Sequence, residues 1–383
     1  MRFLHTADWQ IGKPFQSIAD PGKRESLRQK RIETIRGLKS LIDERQLQFV
    51  VVCGDLFDSF TPDKATVSAL CSAVGTLEVP VYAIPGNHDH GGPGCIWQQA
   101  FFLREQEQLA PNLKVLLEAE PVLLEDAVLL PCPLLRRHES SDPTAWLRNL
   151  PEGLPEGKSR IVMAHGSTQG FSSSGDSDET AGINQIDLGQ LPAAAYDYCA
   201  LGDWHGCKEI AAATWYSGTP EQDRFAKGDS NQPGKVLVVE IQGRGQAPSV
   251  QSVATGRVGW HVLEDWALHK DADLQTLSSE LDALFARRTG EDLCKLSVQG
   301  TLSLAGQQQL DELIESLRAR LIDLRLEQNL QLEPSAEELA ALTQRQDPLI
   351  ARVAQELSES LDSEELAREA LRELQLEIGK VSA

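Results

Sequence analysis

Short apolar runs alternate with amphipathic stretches through the first two hundred residues. Arg2 to Thr6 and Gln48 to Cys53 are apolar and rich in β-branched residues, and Gly54 bounds the second. Both predict strands. Glu25 to Glu44 and Lys64 to Leu77 have helical periodicity, and Val79 to Ile84 returns to strand. Further strands are expected at Val115 to Leu117, Ala127 to Leu130, Arg160 to Ala164 and Tyr198 to Leu201. Strands spaced by helices predict an α/β fold with covered sheet faces. Phe171 to Thr180, rich in Ser, Gly and Asp, is expected to be a loop.

The pattern changes after about Pro220. Lys235 to Ile241 (KVLVVEI) and Ser249 to Ala254 predict strands, with His261 to Glu264 a third. Asp273 to Arg287 predicts a helix, Leu293 to Val298 a strand, and Leu304 to Leu321 a long amphipathic helix before the alternating stretch Ile322 to Leu332. A small α/β unit over residues 256–334 is therefore expected to follow a larger domain over residues 1–255. In the tail, residues 335–383, Leu349, Val353, Leu357 and Leu361 fall at i, i+4 spacing. Leu366, Ala370, Leu374 and Ile378 continue a stripe after Asp362 and Ser363, a candidate cap. Two such helices must bury their stripes, either on the parent domain or on a partner.

Composition narrows the options. The chain has 383 residues, 41% hydrophobic and 24% charged, enough for two or three globular domains. No run of about 18 apolar residues occurs, so no membrane span is expected. Met1 to Gly12 has neither a basic n-region nor a long apolar h-region, so no signal peptide is expected. The 7 cysteines are scattered, odd in number and without a CxxC pair. A disulfide framework is not expected, and a cytoplasmic location is. The net charge of −21 argues against attraction of nucleic acid to the whole surface. The charge is uneven, however. From Leu332 onward acidic residues outnumber basic ones by more than two to one. Between Lys13 and Lys39 basic residues dominate, and Lys13, Arg24 and Arg28 are candidate contacts to DNA phosphates, with a solvated helix face the alternative.

The candidate chemistry lies in five clusters, each directly after an apolar strand: Asp8-Trp9-Gln10, Gly54-Asp55-Leu56-Phe57-Asp58, Gly86-Asn87-His88-Asp89, Ala164-His165-Gly166 and Gly202-Asp203-Trp204-His205. Loops after strand C-termini converge on one crevice in open α/β sheets. One Asp after a strand is ordinarily a turn or a cap. Five oxygen- or nitrogen-bearing clusters in order are hard to obtain by chance and predict a metal centre. Two divalent ions about 3.5–4 Å apart need a bridging carboxylate, and Asp55 is the natural bridge. Mixed carboxylate, amide and imidazole ligands suit Mn²⁺, Fe²⁺ or Zn²⁺ better than Ca²⁺. His88 could orient the phosphate or protonate the leaving oxygen. Cys199, Asp203, His205 and Cys207 match no common zinc spacing. Trp9, Trp97, Trp204 and Trp215 could stack on bases, with core packing the default.

These motifs resemble the calcineurin-like metallophosphoesterase superfamily. The opening FLHTADWQIGKPF and the basic helix after it resemble the SbcD-type nuclease subunits of DNA double-strand-break repair. The resemblance implies a four-layer core, two packed mixed sheets flanked by helices, with a small α/β cap and a helical tail. It implies one ion on Asp8, position 10, Asp55 and His205, and a second on Asp55, Asn87, His165 and position 203. Two positions depart from the family. Asp-x-His has become Asp-x-Gln at Gln10, and Gly-His-x-His begins with Asp203. Two imidazoles give way to two oxygen ligands, which predicts Mn²⁺ foremost, with Mg²⁺ or Fe²⁺ next and Zn²⁺ disfavoured. The implied function is a DNA exo- or endonuclease whose C-terminal helices dock an SbcC-type coiled-coil ATPase, with a homodimer as the assembly. The rival functions are a phosphoesterase of small nucleotides or phosphoproteins, and a non-catalytic scaffold that binds DNA or the ATPase.

Overall fold

The computed structural model describes residues 1–168, 183–192, 195–225, 232–285, 288–359 and 365–382. The loop expected at Phe171 to Thr180 and the cap expected at Asp362 and Ser363 lie outside them. In chain order the core elements are β1 (Arg2–Thr6), α1 (Pro21–Arg45), β2 (Phe49–Cys53), α2 (Lys64–Gly75), β3 (Val81–Ile84), α3 (Ala100–Leu109), β4 (Leu113–Val115), β5 (Val122–Leu123), β6 (Ala127–Cys132), β7 (Ser159–His165), β8 (Ser167–Thr168), β9 (Gln185–Ile186), β10 (Tyr198–Gly202), β11 (Lys208–Ala211), β12 (Thr214–Tyr216), β13 (Lys235–Glu240) and β14 (Ser249–Ala254). After them come β15 (Gly259–Leu268), α4 (Ala272–Phe285), β16 (Asp292–Leu302), α5 (Leu304–Arg320), β17 (Asp323–Leu332), α6 (Ala336–Thr343), α7 (Pro348–Glu359) and α8 (Glu365–Ser382).

The chain divides into two compact units, Met1–Val258 and Gly259–Ala383. The first holds two six-stranded mixed sheets, ordered β14-β13-β1-β2-β3-β4 and β11-β12-β10-β7-β6-β5. β1 to β4 run parallel, with β13 and β14 added antiparallel at one edge. In the other sheet β6, β7, β10 and β12 are parallel, between antiparallel β5 and β11.

Period-two alternation explains why these strands read as unbroken apolar runs. Phe3, Val51 and Ile84 from one sheet meet Leu129, Ile161 and Met163 from the other. Their neighbours Leu4, Val50 and Val52 face outward onto Ile35 and Leu38 of α1 and Leu70 and Val74 of α2. The outer face of the second sheet, Val128, Leu130, Val162 and Leu201, packs on Leu147, Ile186 and Leu191. Both faces of every central strand are thus buried, at about 1.5–3 kcal/mol for each large aliphatic side chain.

Boundaries moved where tertiary pairing outweighs local pattern. β4 begins two residues earlier than the sequence suggests, because its partner places Val81 opposite Leu113. Strand β15 is longer than His261 to Glu264 and carries an irregularity between Leu263 and Trp266, where Asp265 takes φ 61. Edge strands β5 and β11, the three-residue β12 beside β11 and the small β8–β9 pair were not anticipated, being too short for a periodic signal.

In the second unit, β15, β16 and β17 form a parallel sheet. Leu277 and Leu281 of α4 and Leu310, Ile314 and Leu317 of α5 cover it. Three helices follow β17 among the described residues, where two were expected. The extra one, α6, starts at Ser335 with a capping box completed by Glu338. Leu342, Ala354 and Leu371 bury one another from α6, α7 and α8. Leu357, Leu374 and Ile378 of the expected stripes pack against this cluster, whereas Leu349 and Leu366, in the first turns of α7 and α8, remain 73% and 75% exposed. Among the described residues no helix is long and apolar enough to cross a membrane.

Candidate metal centre

Each motif sits just past the C-terminal end of a parallel strand. Asp8 follows β1, Asp55 follows β2, and Asn87 and His88 follow β3 in one sheet. His165 ends β7, and Asp203 and His205 follow β10 in the other. The parallel ends bring both sheets' loops to one rim.

The turns there are strained. Asp8 (φ 54), Gln10 (φ 41), Asp55 (φ 54) and Asp203 (φ 99) all adopt left-handed backbone, a conformation that costs on the order of 1–3 kcal/mol at a non-glycine residue. Cross-loop bonds hold it. The Asp8 amide donates to the Gly54 carbonyl at 3.1 Å, and the Gln10 amide to the Asp55 carbonyl at 2.8 Å. The buried Arg31 guanidinium donates to the carbonyls of Asp8, Trp9 and Glu221 and to Thr219. Gly54 and Gly86 leave the space the ligands use. A Cβ on Gly54 would strike the His165 ring, and one on Gly86 the Asp55 carboxylate.

Donor atoms of Asp8, Asp55 and His165 all lie within 4.8 Å of one another. His165 Nε2 is 2.9 Å from Asn87 Oδ1, 3.7 Å from Asp55 Oδ1 and 3.8 Å from Asp203 Oδ1. The backbone amides of His88 and Asp203 reach the carboxylates of Asp55, at 2.9 Å, and Asp8, at 3.2 Å. Burial raises the Asp8 carboxyl to about 6; His205 and His165 pull it down, while Asp55 and Asp203 push it further up. Burial alone would depress His165, but the carboxylates of Asp55, Asp8 and Asp203 raise it to about 9. Three carboxylates, an amide oxygen and an imidazole in a buried cleft fit a divalent cation, which would balance that crowded negative charge.

The remaining expected residues have other company. His88 Nδ1 is 2.9 Å from the Asp58 carbonyl, and its Nε2 lies 3.9 Å from Asp55 Oδ2. Gln10 and His205 face each other, Nε2 to Nε2, at 3.3 Å. The Lys13 ammonium pairs with Asp58 and Asp223. Arg28 donates to the carbonyls of Lys13 and Pro14, and Arg24 to that of Ile18, so both brace the loop before α1. Trp9 and Trp97 lie in the core. No cysteine belongs to a candidate metal group among the described residues.

Sequence reasoning did not assign Arg31, Asp89 and Asp223. Arg31 had a visible signal, since it interrupts the inward stripe Leu27, Ile35, Leu38, Ile42 of α1. Asp89, within the third motif, accepts from the amides of Phe57 and Gly86 and is raised to about 7 by burial and by Asp55. Asp223, after β12, has no motif to betray it. It accepts from His205 Nδ1 at 3.1 Å.

The sequence model of the calcineurin-like phosphoesterase family matches residues 1–207. The D subunit of the nuclease SbcCD from Staphylococcus epidermidis is 24% identical over 259 residues, 63% of this chain and 66% of that protein. Its counterpart in the nuclease SbcCD of Bacillus subtilis is 28% identical over 94 residues, 24% of this chain and 22% of its own length. The chain thus spans just under two thirds of the first relative and about a fifth of the second. The crystal structure of TT1561 of Thermus thermophilus aligns with a TM-score of 0.39 at 11% identity, over 66% of this chain and 98% of that one.

Proposed function

The chain belongs to the calcineurin-like phosphoesterase family, and on that premise we propose that it is a metal-dependent nuclease that hydrolyses phosphodiesters in DNA. The observation that carries this reading is the convergence of Asp8, Asp55, Asn87, His165 and Asp203 from the ends of both sheets on one buried cleft. The two relatives named as nuclease subunits support the nucleic-acid substrate and the role within a larger complex.

Asp8, Asp55, Asn87, His165 and Asp203 would hold the metal, and their oxygen-rich set favours Mn²⁺, with Mg²⁺ or Fe²⁺ as alternatives. A divalent ion held by these residues would supply Lewis acidity toward a phosphoryl oxygen and would lower the pKa of a water. His88 supplies the proton chemistry. Its Nδ1–H donates to the Asp58 carbonyl, so Nε2 is left to face substrate beside Asp55. The partner in this reading is a coiled-coil ATPase of the SbcC type, docked on the C-terminal helices. Leu349 and Leu366 of α7 and α8 are the exposed apolar side chains such a partner would cover.

The test uses the purified protein with Mn²⁺ on linear duplex DNA, single-stranded DNA and a generic phosphodiester, beside Asp55→Ala. Cleavage of DNA that disappears in Asp55→Ala is the expected result. Cleavage of the small ester alone would move the substrate to nucleotides. DNA binding with no cleavage under any metal would make the chain a scaffold.

A further inference from the structure

Lys13 enters the half of the centre where the family resemblance implies an ion on Gln10 and His205. Its ammonium lies 2.7 Å from Gln10 Oε1, 3.0 Å from Asp223 Oδ2 and 3.3 Å from Asp58 Oδ1. Three acceptors meet the three ammonium protons. The Lys13 side chain is only 20% exposed, and that of Asp223 is fully buried. This cation is therefore built into the structure.

The neighbouring ligands are spent in the same arrangement. Gln10 gives its amide oxygen to Lys13 and turns its NH₂ toward His205 Nε2. His205 gives its Nδ1 proton to Asp223, which leaves the Nε2 lone pair facing two donors, the Gln10 amide at 3.3 Å and the Arg224 guanidinium at 3.3 Å. The amide orientation follows from the network, oxygen to the ammonium and nitrogen to the ring acceptor. The atoms that Gln10 and His205 would offer a second ion are both engaged. Asp8, Asp55, Asn87 and His165 are instead turned toward one another and toward the amides of His88 and Asp203.

We infer that the Lys13 ammonium replaces one of the two metal ions, so that the centre holds a single divalent cation, among Asp8, Asp55, Asn87, His165 and Asp203. Gln10 is then the adaptor that joins Lys13 to His205. A second divalent ion beside a fixed ammonium would meet like charge in a poorly solvated cleft. The inference rests on the metal-centre reading above.

The experiment is ion stoichiometry on the full chain, stripped with chelator and titrated with Mn²⁺. Bound metal is counted by equilibrium dialysis and elemental analysis, and the Mn²⁺ electron paramagnetic resonance spectrum is recorded. One ion per chain with an isolated Mn²⁺ signal is expected for the wild type. Two ions per chain, or an exchange-coupled pair, would overturn the inference and leave the metal-centre reading intact. No bound ion would overturn that reading itself. Lys13→Ala and Gln10→His/Lys13→Ala, checked for folding by circular dichroism, are expected to take up a second ion. Folded variants that still bind one ion would show that Lys13 is not what excludes the second. The wild-type count decides the matter even where a variant does not fold.

Discussion

The His165 ring ties one sheet to the other, with its Nδ1 2.8 Å from the carbonyl oxygen of Cys53. Cys53 ends β2 and His165 ends β7, and both are fully buried. Donation from Nδ1–H fixes the tautomer and aims Nε2 at Asn87 and the carboxylates.

That geometry has a pH consequence. With its pKa raised to about 9, Nε2 carries a proton at neutral pH in the metal-free chain. A cation must displace it. Binding of Mn²⁺ at pH 7.5 is expected to release about one proton per ion, and affinity should rise with pH until about 9. Below pH 6 protonation of Asp8 adds to the loss. Calorimetry in buffers of different ionisation enthalpy measures the release, and a value of zero would contradict the assignment of His165.

Asp55 and His88 should separate binding from chemistry. Asp55→Ala is expected to lose both the ion and turnover. His88→Ala should keep the ion, because it is the His88 backbone amide, not its ring, that bonds Asp55. Its kcat should fall by about 10²–10⁴-fold. Loss of the ion in His88→Ala, measured by dialysis, would refute a purely proton-transferring role.

Arg31 is the brace of the first motif. It is 2% exposed and binds the carbonyls of Asp8 and Trp9 from α1. Arg31→Leu strands those carbonyls and is expected to cost about 3–5 kcal/mol in denaturant unfolding. A change under about 1 kcal/mol would mean that backbone bonds alone hold the left-handed turn at Asp8.

His5 should make the core acid-sensitive. It lies buried between Tyr198 Oη, at 2.9 Å, and the Leu201 carbonyl, at 3.1 Å. Burial lowers its pKa from 6.5 to about 3, against the carbonyl's opposing pull. The depressed value means that the unfolded chain binds a proton that the folded chain refuses. Stability is therefore present above pH 6.5 and lost as pH falls toward 3. Between pH 7 and pH 5 this amounts to about 2 kcal/mol. Comparison of wild type and His5→Gln by urea unfolding at the two pH values isolates it; equal losses would rule it out.

Much of the core was legible because its strands are buried on both faces. Such strands read as apolar runs, and β1, β2, β3, β7 and β10 are each followed by a polar cluster. Edge strands β5 and β11 and the short β12 beside β11 were not legible, since at two to four residues their pairing comes from a neighbour's backbone rather than from a readable pattern. The tail stripe was legible in part. Leu357, Leu374 and Ile378 pack inward as the periodicity predicts, but Leu349 and Leu366 stay exposed while Ala354 is fully buried.

The sequence alone determined the α/β class and the order of the motifs, because chemistry placed after apolar strands survives any detail of packing, and it offered Asp8, Gln10, Asp55, Asn87, His165, Asp203 and His205 as candidate ligands. What Gln10, Lys13 and His205 do was decided by tertiary structure. Asp223 lies 210 residues beyond Lys13, and Asp58 belongs to another loop. Only folding brings their carboxylates to one ammonium, and a sequence pattern has no means of registering a partner that distant.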